Sequence, residues 1–100
     1  MSFYSVLEVT PTTDVWVSDY LKYGKKILEN YGGKYLARTA NHERLEGHGE
    51  NPALRVIIEW PSREAAINFM NDEEYSVHLK GRTEGSISHH FLIEGKDDLA

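Results

Sequence analysis

Cysteine is absent from this sequence, and that one absence removes disulfides, thiolate metal ligands and a thiol nucleophile together. Long apolar runs are missing too. The longest stretches, such as Val56-Ile57-Ile58, are far too short to span a bilayer, so no membrane partner is expected. Basic charge is scarce: eleven Lys and Arg stand against sixteen Asp and Glu, for a formal net charge of -5. The cations are scattered along the chain, whereas binding phosphate needs a concentrated basic surface, so nucleic acid is not an expected partner. There are no repeats, linkers or low-complexity segments, no dinucleotide glycine fingerprint and no Gly-x-Ser-x-Gly nucleophile elbow. Met1 to Ser5 runs into a strand pattern without a basic leader, so no secretion signal is read and a cytoplasmic location is expected.

What is present is the composition of a folding chain. With 40% hydrophobic and 27% charged residues over 100 positions, residues 1-100 are read as one domain. Phe3 to Val9 is expected as a strand with Phe3, Leu7 and Val9 on one face and Tyr4 and Val6 on the other. The spacing of Val17, Tyr20, Leu21, Gly24, Leu28 and Tyr31 predicts a helix from Asp14 to Tyr31, capped by Thr13 or Asp14 and ended by Gly32. Gly24 inside it suggests a close approach to a sheet. Lys34 to Ala40 reads as a strand continuing over His42 to Glu46. After the turn residues 47–52, Leu54 to Trp60 is the clearest strand and pairs with it as a hairpin. Ser62 opens a second helix with Ala65, Ala66, Phe69 and Met70 as its buried stripe. Asn71 with Glu74 marks a further capped start, leading into a short helix around Tyr75 to Lys80. Ser86 to Ile93 is the last strand.

The order β, α, β, β, α, β predicts an α+β, ferredoxin-like domain: two helices cover one face of a four-stranded antiparallel sheet. The other face carries Ile57 between Arg55 and Glu59, a mixture better suited to a partner sheet enclosing a polar cavity than to open water. A homodimer is therefore expected.

The run Tyr31-Gly32-Gly33-Lys34-Tyr35-Leu36-Ala37-Arg38, then Leu45-Glu46-Gly47, Ile58-Glu59-Trp60-Pro61-Ser62-Arg63-Glu64-Ala65-Ala66, Glu74-Tyr75, Arg82 and Ile93-Glu94-Gly95 resembles the domain-of-unknown-function family numbered 1330. The match runs in order through nearly the whole chain. It departs mildly, with Trp60 where Phe is more usual and with the pair His89-His90. The resemblance implies a dimeric α+β barrel, two such sheets packed face to face. The wider superfamily of these barrels includes cofactor-free monooxygenases, lactone isomerases, haem-degrading enzymes and binding proteins. Architecture therefore does not select a chemistry.

The residues support two readings: an enzyme that needs no cofactor, acting on a small polar or anionic organic molecule in a barrel cavity, or a non-catalytic ligand-binding or structural dimer. If there is a site, Arg38, Glu46, Glu59, Tyr75 and Arg82 are expected to gather around it, with an arginine taking an anionic group and a glutamate accepting a proton. The bland account is that the same charges pair with one another. Tyr20, Tyr31, Tyr35 and Tyr75 are read as packing residues whose hydroxyls could line a cavity. No metal site is expected, because His89 and His90 must face opposite sides of their strand and none of the five histidines shows chelating spacing.

Overall fold

The computed structural model describes residues 1–100. Strand β1 (Phe3–Pro11) leads into helix α1 (Val17–Asn30), strands β2 (Lys34–Thr39) and β3 (Leu54–Trp60), helices α2 (Arg63–Met70) and α3 (Glu73–Glu84), and strand β4 (Ser86–Glu94). The strands form one antiparallel sheet in the order β2-β3-β1-β4. This is the ferredoxin-like arrangement, with a third helix where the last crossover lies.

Alternation along the strands sorts the two faces. Ser5, Leu7, Val9, Val56, Ile58 and Trp60 are buried toward the helices, where Ile27, Leu28, Ala66, Phe69 and Tyr75 complete the core. The opposite face carries a cross-strand row of Ala37, Ile57, Val6 and Phe91. Beside it run a row of Lys34, Glu59, Tyr4 and Ile93 and a row of Thr39, Arg55, Glu8 and His89. Phe91 is 68% exposed and Ile57 40%. Glu8 and Arg55 pair across strands at 3.5 Å.

Several local expectations are corrected. The first helix begins at Val17, because its entry is tied to the end of α3 and not to a side-chain cap: the N–H groups of Thr12 and Thr13 and the indole N–H of Trp16 all donate to the Gly85 carbonyl, at 2.8, 3.3 and 2.9 Å. The glycine that permits close approach is Gly85, where a Cβ would lie within 2.5 Å of Trp16 Nε1, and not Gly24, where a Cβ would make ordinary contact with the Tyr20 ring at 3.5 Å. Residues 42–46 form no strand, since pairing ends at Thr39 opposite Arg55 and β3 begins only at Leu54, which leaves them no partner. Asn71 completes α2, its N–H donating to the Ile67 carbonyl. Asp72, one residue on, is the cap of α3 and accepts from the Tyr75 N–H at 2.8 Å. The Ser62 cap forms as expected, accepting from Ala65 N–H at 3.1 Å. Gly32 takes a left-handed turn at φ 81, and a Cβ on Gly33 would meet Leu28 at 2.6 Å and Trp60 at 2.7 Å, so the pair both ends α1 and lets β2 lie close to the core.

Candidate functional site

Between the helix layer and the sheet, at the α1 end of the core, lies a cavity of about 90 Å³. Of its thirteen lining residues ten are hydrophobic. Buried Leu7, Val9, Val56 and Ile58 form its floor, and Pro11, Leu21 and Arg38, which are exposed, form its rim. Trp16 closes one wall, held there by its bond to Gly85.

The polar groups in and behind this apolar lining come from three elements, α1, β2 and α3. Arg82, near the end of α3, is only 5% exposed. Its Nε has no hydrogen-bond partner, and no carboxylate pairs with it. A buried guanidinium is normally paired, because an uncompensated charge away from water costs several kcal/mol in round terms (~3–5), so this one stands out. Its nearest support is the Tyr20 ring, whose centroid is 5.7 Å from the guanidinium carbon. The Tyr20 hydroxyl lies 2.7 Å from that of Tyr75, which is 1% exposed and packs its ring against Phe69 at 4.0 Å. On β2, the Arg38 guanidinium lies over the Tyr35 ring at 4.1 Å. Burial pushes the Tyr35 phenol up to about 12, reinforced by neighbouring Tyr20 and opposed by the cations Arg38 and Arg82. Burial likewise raises Tyr75, with Tyr20 adding to the effect. Both phenols are thus held neutral.

The five residues expected to converge fall into three places. Arg38 and Arg82 line the cavity, and Tyr75 stands directly behind it through Tyr20. Glu59 sits on the opposite face of the sheet, where its carboxylate accepts from Tyr4 and Ser2 hydroxyls at 3.4 Å each. Glu46 lies exposed in the irregular segment between β2 and β3. The cavity therefore belongs to the helix side of the sheet and is lined by no glutamate. Trp16 lines it without having been singled out beforehand, and the signal that brings it there is its tie to the distant Gly85; Val17, read as part of the helical stripe, lies beside it.

A second polar chain crosses the core. The Trp60 indole N–H donates to Ser5 Oγ at 2.8 Å, and Ser5, itself fully buried, lies 2.8 Å from His90 Nε2. Trp60 and His90 are the partners of Ser5 Oγ, so the arrangement that satisfies the buried serine proton is donation to His90 Nε2, with the imidazole's own proton on Nδ1. Burial holds His90 down to about 4, and the charge of Arg82 adds to that depression. His89 faces the other side, opposite Glu8, so the two histidines diverge as their adjacency requires.

Three solved structures share the fold. A protein of unknown function from Rhodopseudomonas palustris is 19% identical with a TM-score of 0.73, over 96% of this chain and 83% of its own. SnoaB, a cofactor-independent oxygenase from Streptomyces nogalater, is 17% identical with a TM-score of 0.57, over 98% and 94%. A dimeric ferredoxin-like protein from an uncultured marine organism is 13% identical with a TM-score of 0.51, over 97% of each chain. None of the curated proteins compared with the chain matches it. The sequence pattern of the DUF1330 family, a domain of unknown function, matches residues 2–96, and the chain belongs to that family.

Proposed function

We propose that this protein is a homodimer whose subunits each bind a small organic anion in the cavity between helices and sheet. The observation that carries the reading is Arg82: a buried cation without a protein counter-charge, opening onto an apolar cavity, is a site that a guest anion would complete. Arg38 at the rim supplies the second positive charge. At about 90 Å³ the enclosed space is smaller than the roughly 150 Å³ that accepts benzene in an apolar core, so the guest is about one ring in size with part of it at the open rim. The dimer reading rests on the row of Ala37, Ile57, Val6 and Phe91, an apolar centre flanked by charged rows, on a fold shared with a protein described as dimeric.

Calorimetric titration with benzoate tests the site. Micromolar-to-millimolar binding is expected, lost in Arg82→Met and retained in Glu59→Gln, whose carboxylate lies on the other face. Equal affinity in the Arg82 variant would remove the reading.

A second reading, turnover of the bound anion without a cofactor, is favoured by the fold shared with SnoaB. The lining holds no carboxylate and no imidazole, so such an enzyme would act by stabilising negative charge on its substrate and not by an ordinary side-chain base. Oxygen consumption on adding an anion that binds would test it.

A further inference from the structure

The direction of the hydroxyl bond between Tyr20 and Tyr75 sets the polarity of the cavity. Tyr75 is 1% exposed, and its hydroxyl has Tyr20 as its hydrogen-bond partner. If Tyr20 donated, the Tyr75 proton would be left buried without an acceptor, a loss of about 1–3 kcal/mol. Tyr75 therefore donates to Tyr20 Oη, and the Tyr20 proton is turned toward the cavity it lines. The Trp16 indole N–H is already used on Gly85. What the cavity offers a guest is then the guanidinium of Arg82, the hydroxyl proton of Tyr20, the neutral phenol of Tyr35 and, at the rim, the guanidinium of Arg38, with no carboxylate, amide or imidazole among the lining residues.

Resting on the anion-binding reading above, we infer that this cavity, with two guanidinium groups and no carboxylate, takes a weakly acidic one-ring hydroxyl compound, a phenol or cyclic enol, as its conjugate base, with the oxyanion between Arg82 and the Tyr20 hydroxyl. A neutral hydroxyl could pass its proton to a tyrosine oxygen of the lining, but it would leave the guanidinium of Arg82 buried without a counter-charge. The oxyanion accepts from both groups and neutralises the buried guanidinium. On entry the guest O–H bond breaks, the electron pair stays on oxygen, and the proton leaves to water at the rim, since no lining side chain is a base for it. In a low-dielectric enclosure both interactions gain strength, which makes ionisation part of binding. The same donors also receive a permanent carboxylate, and the experiment separates the two sources.

The test uses the whole chain and 4-fluorophenol, whose fluorine resonance reports ionisation in a molecule scarcely larger than phenol. A pH titration by fluorine NMR, free and with saturating protein, is expected to lower the ionisation midpoint by at least one unit, a tenfold or greater preference for phenolate. Tyr20→Phe should reduce that shift and Arg82→Met abolish it, each checked for folding by circular dichroism. Binding with an unshifted or raised midpoint overturns the inference, as does binding of benzoate without binding of 4-fluorophenol; in either case the anion-binding reading stands only where benzoate binds and Arg82→Met loses it. If neither benzoate nor 4-fluorophenol binds, the anion-binding reading falls and this inference with it.

Discussion

The Arg38 guanidinium carbon lies 4.1 Å from the centroid of the Tyr35 ring, although the two residues are three apart on one strand. Simple alternation would send them to opposite faces. Between Tyr35, opposite Ile58, and Ala37, opposite Ile57, the register slips by one residue, and Arg38 then falls opposite Val56. The bulge at Leu36 thus brings both side chains to the helix face, where both line the cavity.

Because Arg38 is exposed at the rim and its stacking on Tyr35 is worth about 0.5–1 kcal/mol at such a site, Arg38→Gln should leave thermal unfolding nearly unchanged. Its effect should appear in binding, as a loss of about three- to tenfold in benzoate affinity by calorimetry. A large fall in melting temperature would instead make Arg38 part of the structural framework.

Arg82 calls for the opposite outcome. Its burial without a carboxylate or a partner for Nε is unfavourable in the empty protein, offset only in part by the Tyr20 ring. Arg82→Met keeps the volume and removes the charge, so it should raise stability by about 1–2 kcal/mol. For a chain of this size that is roughly 4–8 °C per kcal/mol in the melting temperature by calorimetry. A stability gain together with lost anion binding is the pattern of a residue retained for function. A clear fall in melting temperature would reverse the assignment.

The sequence carried most of the fold. β3 was legible to the residue because Leu54 to Trp60 combines strong alternation with turn residues before it and Pro61 after it. The helix-side and open-side residues of β1 and β3 followed from parity alone. Expectation failed where pairing or distant contacts decide: residues 42–46, read as an extension of β2, have no partner strand, and the start of α1 is set by a bond from Trp16 to Gly85 across the fold. The site was half legible. Arg38 and Arg82 were singled out as candidate anion binders, and Tyr20 and Tyr35 as hydroxyls able to line a cavity. Their placement in one cavity depends on the bulge in β2 and on the packing of α3 against α1, neither of which has a local signature. The site was expected inside the barrel, on the open face where parity put Glu59 with Ile57, and Glu59 lies there; Arg38, Tyr75 and Arg82 are on the helix side instead.

The open face predicts its own variant. Phe91 is the most exposed member of the apolar row and pairs with Val6 at its centre. Burying about 800 Å² per subunit, as stable dimers do, would place it against the partner. Phe91→Glu should then sediment as a monomer at low micromolar concentration while the parent sediments near twice the chain mass. The far-ultraviolet circular dichroism should not change, since the side chain makes no part of the helix-side core. If both proteins sediment alike, this face does not hold the dimer together.

His90 links the core to the cavity through charge. Its folded ionisation, held at about 4 by burial and then by Arg82, lies below the ordinary histidine value near 6.5. Between those limits the unfolded chain binds the proton and the folded one does not, so stability attributable to this residue is present above about pH 6.5 and is lost as the pH falls toward 4. Protonation would also make Nε2 a donor toward Ser5, whose oxygen already accepts from Trp60, and leave the serine proton without its acceptor. His90→Gln should therefore flatten the acid side of a stability–pH curve measured by urea unfolding. A guest anion beside Arg82 offsets the second of the two depressing causes, so saturating benzoate should move the His90 midpoint upward in an imidazole NMR titration. An unmoved His90 midpoint with benzoate demonstrably bound would place the anion away from Arg82.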